Sequence, residues 1–156
     1  MSIFDKFKKA VTGKNSGSVA QCFTDALRKS NTAFGEQPHF GGGTRITVPF
    51  ENSEIVCVFS GEGGRNVFMR LPYARVPRER IFDVCSFCGD YNSGPHMSRC
   101  NVEDFNGEYV FCIEREECIS ASVTPDEAAA KAFWNLEMLK HDSQDIKMRL
   151  YRILLR

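Results

Sequence analysis

The dipeptide Asn106-Gly107 stands between two runs of alternating character, Arg99 to Phe105 and Glu108 to Ile113. A two-residue connection that matches the twist of paired strands needs positive φ at both positions. Asn-Gly adopts that conformation at least cost, so a type I′ β-hairpin is expected here. The hairpin commits its neighbourhood to an antiparallel sheet. In its second strand Tyr109, Phe111 and Ile113 form the apolar face, while Val110 and Cys112 leave the reverse face less polar than a fully solvated one.

Three more strands are expected upstream, at about Thr44 to Phe50, Glu54 to Ser60 and Asn66 to Leu71, each rich in β-branched or aromatic residues. Their short connections favour antiparallel pairing. In the middle one Ile55, Cys57 and Phe59 share one face and Val56 and Val58 the other, so both sides want cover and the strand is expected to be central. The turn Gly61-Glu62-Gly63-Gly64 lacks the lysine-serine ending of a phosphate loop and reads as a hairpin turn.

Helices frame these strands. Ser18 stands three residues before Gln21, a capping-box pattern opening a helix to about Phe34, with Val19, Cys22, Phe23, Ala26 and Leu27 on one stripe. Pro77 can open a second helix, to about Cys88. Thr124, Pro125 and Glu127 start a third, running to about Leu155 with a break or bend expected at His141-Asp142-Ser143. Ahead of all this, Ile3, Phe4 and Phe7 recur at helical spacing with Lys6, Lys8 and Lys9 on the remaining surface. About two turns with so few large apolar residues bind a bilayer only marginally, so docking onto the domain or a partner is favoured. The expected fold is α+β: an antiparallel five-stranded sheet packed with helices in the order α-β-β-β-α-β-β-α. Residues 1–17 form a preceding amphipathic helix and linker, and residues 18–156 one domain.

Twenty basic and 20 acidic residues balance, so the chain as a whole lacks the electrostatic footprint of a nucleic-acid binder. No apolar run approaches the roughly 20 residues that cross a bilayer, and no stable membrane insertion is expected. Seven cysteines form an odd set, several of them within apolar runs such as Val56-Cys57-Val58. They read as small buried hydrophobes in a reducing, cytoplasmic compartment.

The sharpest chemical pattern is Cys85, Cys88, His96 and Cys100, four soft ligands within sixteen residues, which could organise a small zinc-binding module. Against it, Cys85 and Cys88 lie one turn apart on a helix where they can fill core volume. A domain of this size also has no energetic need for a metal, so the expectation is no cofactor and no metal. His39, His96 and His141 stand beside no convincing nucleophile, and no catalytic residue is identified. Glu114-Arg115-Glu116-Glu117 reads as a solvated strand edge. Arg75, Arg78 and Arg80, with Arg70 nearby, read as a local basic cluster.

Val76-Pro77-Arg78-Glu79-Arg80 leads into a helix ending Val84-Cys85-Ser86-Phe87-Cys88-Gly89-Asp90-Tyr91-Asn92, followed by a hairpin and a capped carboxy-terminal helix. This order resembles the YbjN family of candidate bacterial sensory-transduction regulators, which shares its fold with type III secretion chaperones. The resemblance spans about Ser18 to Ile153 as element order and about Val76 to Asn92 at residue level. It implies a non-enzymatic, regulatory protein-binding module acting on a partner or client segment, with self-association as a dimer among the options. It assigns no binding residue. The residues themselves point the same way, because Val56, Val58, Phe68, Val110 and Cys112 would leave apolar surface on the sheet's second face. The first four of these, together with Ile3, Phe4 and Phe7, are the expected interaction residues.

Overall fold

The computed structural model describes residues 17–155; the amphipathic segment carrying Ile3, Phe4 and Phe7 lies outside them. The helices are α1 (Val19–Lys29), α2 (Ile81–Asn92) and α3 (Pro125–Leu154). The strands are β1 (Gly35–Pro38), β2 (Thr44–Phe50), β3 (Ser53–Ser60), β4 (Asn66–Val76), β5 (Arg99–Phe105) and β6 (Glu108–Cys118). They form one six-stranded sheet in the order β1-β2-β3-β4-β6-β5.

The sheet therefore has one strand more than the sequence pattern predicts. The expected helix to Phe34 stops at Lys29, where the Ser30 amide donates to the Ala26 carbonyl and Asn31 turns left-handed at φ 54°. Asn tolerates that conformation better than most residues. The released chain extends as β1 and pairs antiparallel with β2, from Gly35 opposite Thr47 to Pro38 opposite Thr44. Gly-Glu-Gln-Pro carries almost no strand propensity; its pairing is imposed by the turn at 39–43.

The chain divides into two compact units. The first comprises residues 17–69 and 116–137. Its core is an aromatic cluster: the Phe23 ring of α1 lies 4.9 Å from Phe59 of β3 and 6.4 Å from Phe133 of α3. Ile46, Val48, Ile55, Cys57 and Phe59 are all shut off from solvent on this face. The start of α3 carries the expected capping box. The Glu127 amide donates to Thr124 Oγ1 (3.3 Å) and the Thr124 amide to Glu127 Oε2 (2.8 Å). Arg65 ties down the loop before α3, donating to the carbonyls of Ser120 (2.8 Å) and Val123 (2.9 Å).

The second unit comprises residues 70–115 and 138–155. Asn106 and Gly107 sit at φ 56° and 88°, and the register runs from Phe105 opposite Glu108 to Arg99 opposite Glu114, as the dipeptide requires. Phe87 of α2 packs 6.2 Å from Phe111 of β6. Asn92, the last residue of α2, grips the backbone of Cys100 through two hydrogen bonds of 2.8 Å. The bend expected at 141–143 is absent: α3 is continuous, the Ser143 hydroxyl donates to the Lys140 carbonyl (2.7 Å), and Asp142 faces Arg115. Glu114-Arg115-Glu116-Glu117 is not a solvated edge either. β6 lies between β4 and β5, Arg115 is only 5% exposed, and Glu117 accepts a hydrogen bond from Asn135.

Two outcomes test these contacts. Gly42 (φ 91°) has open space around it, whereas a Cβ on Gly43 (φ 104°) would meet the Phe59 carbonyl oxygen at 2.3 Å. In urea unfolding Gly42→Ala should cost about 1–2 kcal/mol, and Gly43→Ala about 3 kcal/mol or more because a backbone collision is added. Hydrogen bonds from the Thr124 amide and hydroxyl hold the Glu127 carboxyl below its ordinary pKa. A folded-state pKa lower than the unfolded one adds stability that is complete above the ordinary carboxyl range and lost as pH falls through the folded value. The stability gap between the wild type and Glu127→Gln should therefore shrink on acidification, measured by thermal melts across that range.

Candidate binding surface

Strand alternation builds the surface. Because Ile55, Cys57 and Phe59 are buried against the helices of the first unit, Val56 and Val58 must project from the other side, where both are half-exposed. Cross-strand pairing places Thr47 beside Val56 and Arg45 beside Val58. On β4, Val67 and Met69 point inward and Phe68 is half-buried on the opposite face. The surface of this unit is thus apolar at its middle, with Arg45 on its margin.

In the second unit the outward side of β4 and of the hairpin carries charge. Arg70 bridges Glu103 (2.6 Å) and Glu114 (2.8 Å), and Asn101 donates to Glu114 (3.2 Å). These side chains are about a quarter exposed or less. Cys112 lies fully buried among them; desolvation first, then the neighbouring Glu103, pushes its thiol up to about 12. Val110, opposite Glu103, is half-exposed. The Asn101 Oδ1 and the Arg45 Nε are buried without a hydrogen-bond partner.

This ion cluster is the part that the sequence reading missed. Arg70 does not belong to a basic patch: it sits between two carboxylates, Arg75 pairs with Glu108 (3.1 Å), and Arg80 pairs with Asp83 (3.3 Å). The signal was present in two periodicities. Alternation about Met69 puts Arg70 on the outer face, and the Asn-Gly register puts Glu103 and Glu114 on one face of the hairpin.

The four soft ligands do not converge. Cys85 is exposed on α2 and Cys88 buried one turn later, Cys100 faces the core of its unit, and His96 stacks flat on Tyr91 with centroids 4.0 Å apart. Among the described residues no group of three or more His, Cys, Asp or Glu side chains could hold a metal ion. The helix separates Cys85 and Cys88 in exposure, and the Tyr91 stack fixes the imidazole elsewhere. Among the described residues, too, no helix is long and apolar enough to cross a membrane.

No family model matches the chain, and no curated protein matches it in sequence. Among solved structures it is similar to the crystal structure of YbjN, a candidate transcription regulator from E. coli, with a TM-score of 0.58 over 85% of this chain and 97% of that one. The fold is YbjN-like. At 9% identity the likeness to YbjN is one of backbone arrangement. It leaves the side chains of the exposed face to be read from this chain alone.

The cysteines supply a test of the packing beneath that face. Cys85 and Cys118 are exposed; Cys22, Cys57, Cys88, Cys100 and Cys112 are buried. Burial raises the Cys22 thiol to about 11 and the Cys88 thiol to about 12, and raises Cys100 as well. Titration of the native protein with an aromatic disulfide reagent at pH 8 should show two fast thiols, with five more appearing only in denaturant.

Proposed function

We propose that the chain is a non-enzymatic regulatory module of type III secretion chaperone-like architecture, which holds a protein segment against the sheet face opposite the one that the described helices seal. The observation that carries this reading is the half-exposure of Val56 and Val58 on a strand whose other face is sealed. Burying the exposed remainder of each such side chain contributes about 0.5 kcal/mol, and several of them on a pleated surface supply part of a micromolar affinity. The YbjN-like fold supports a regulatory role, since YbjN itself is described as a candidate transcription regulator. The occupant is a client segment or, in a dimer, the same face of a second copy.

Val58→Asp puts a charge at the centre of the apolar patch while leaving the sealed face untouched. The wild type should bind an apolar fluorescent dye and either sediment as a dimer at micromolar concentration or capture a client polypeptide. The variant should lose about tenfold or more in each while keeping its melting temperature. A wild type that stays monomeric and binds neither dye nor polypeptide would refute the reading.

A further inference from the structure

The second half of α3 is apolar on two opposite sides. Leu139, Ile146 and Leu150 form its buried seam. Met148, Tyr151 and Leu155 are nevertheless 61%, 44% and 84% exposed. Their spacing of three and four residues is the repeat of a helix-pairing seam. The Leu155 amide still donates to the Tyr151 carbonyl (3.0 Å), so helical spacing persists to that residue. At about 100° per residue the three fall within an arc of roughly 60°, on the side away from the buried seam. Scattered exposed apolar residues are ordinary; three in register along one stripe are not.

Four cations and one acid, Asp145, flank the stripe, so the flanks are net basic. Lys140 and Lys147 border one side, and Arg149 and Arg152 the other. Arg149 is paired with Asp145 (3.2 Å), whereas no carboxylate pairs with Arg152 among the described residues. Arg149 and Arg152 also border an open cavity of about 330 Å³ with Asp90, Tyr91 and His96. A second copy laid on this stripe would bring cationic flank against cationic flank, so self-pairing is opposed by charge.

We infer that the outer stripe of α3 at Met148, Tyr151 and Leu155 is a docking site for an amphipathic helix of a partner protein whose apolar seam is flanked by acidic residues. Apolar anchors at three- and four-residue spacing supply the contact area, and the flanking charges supply orientation and discrimination. This site goes beyond the sheet face and is carried by other residues.

The test uses the full chain and two synthetic fluorescent peptides of about 20 residues, long enough to be helical. Both carry leucines at heptad spacing, flanked by glutamates in one and by lysines in its twin. By anisotropy the glutamate peptide should bind at least about tenfold more tightly than the lysine twin, with affinity falling as salt rises from about 0.05 to 0.5 M. Tyr151→Asp combined with Leu155→Asp should weaken binding about tenfold or more at an unchanged melting temperature. Arg152→Glu should narrow the preference between the peptides. Val58→Asp should leave peptide binding intact, so failure of the sheet-face reading and failure of this one are told apart. Equal binding of the twins, no binding of either, or binding indifferent to the double variant would overturn the inference. So would a dimer that the double variant dissolves, or binding to anionic phospholipid vesicles in place of the peptide.

Discussion

The packing of Phe23 against Phe59, 4.9 Å apart, is the contact on which the rest of the structure depends. It fixes which side of β3 faces the helices. With Ile55, Cys57 and Phe59 sealed, each large side chain contributes about 1.5–3 kcal/mol through burial. A slip of one residue would exchange that set for Glu54, Val56, Val58 and Ser60 of the same strand. The exposed valines are therefore not a local accident: a strand with period two, apolar at every position from Ile55 to Phe59 and covered on one side, must present apolar groups on the other.

The two arginine networks of the second unit answer different physical demands. Arg115, 5% exposed, meets Asp142 at 3.5 Å beside the buried Ser98. A guanidinium so far from water is tolerated only with a partner, and removing that partner leaves an uncompensated charge. Arg70, Glu103 and Glu114 are partly solvated, where ion pairs add little net stability. What they add is geometry. One arginine held between two carboxylates on neighbouring strands has a single low-energy arrangement, so the polar part of the exposed face is pre-ordered.

Where local chemistry decides, the sequence was legible. Asn106-Gly107 determined its own turn and, through it, the pairing of seven residues on each strand. Thr124 and Glu127 marked the start of α3 to within a residue or two. Legibility failed wherever a distant partner overrides local preference. β1 exists because β2 is there to pair with, so Gly-Glu-Gln-Pro gives no sign of it. His141-Asp142-Ser143 looks like a helix breaker until Arg115 arrives to engage Asp142. Three arginines of the basic cluster around the start of α2, Arg70, Arg75 and Arg80, are taken up in ion pairs with Glu103, Glu108, Glu114 and Asp83. The candidate zinc ligands fail for the converse reason. Spacing in sequence brings Cys85, Cys88, His96 and Cys100 close along the chain, while a helix and a stacked ring turn them apart. The apolar face of the first unit could be read from alternation, but the ion cluster of the second needed two registers combined.

The edges of the sheet narrow how any partner can approach. Strand addition needs a row of free amides and carbonyls on an outer strand. At one edge β1 is four residues long and ends in Pro38, which has no amide to offer. At the other, β5 carries Arg99, Glu103 and Asp104, charges that deter a further strand. Between these edges β3 has both of its sides already paired, so the surface at Val56 and Val58 can be recognised only through side chains, as a flat apolar patch. The outer stripe of α3 is the opposite kind of surface, a ridge whose backbone is satisfied internally and whose apolar side chains stand proud. A chain that protects its edges while leaving apolar groups on a sheet face and on a helix ridge is suited to contacts made by packing, and both surfaces would discriminate among partners by the pattern of charge around a greasy centre.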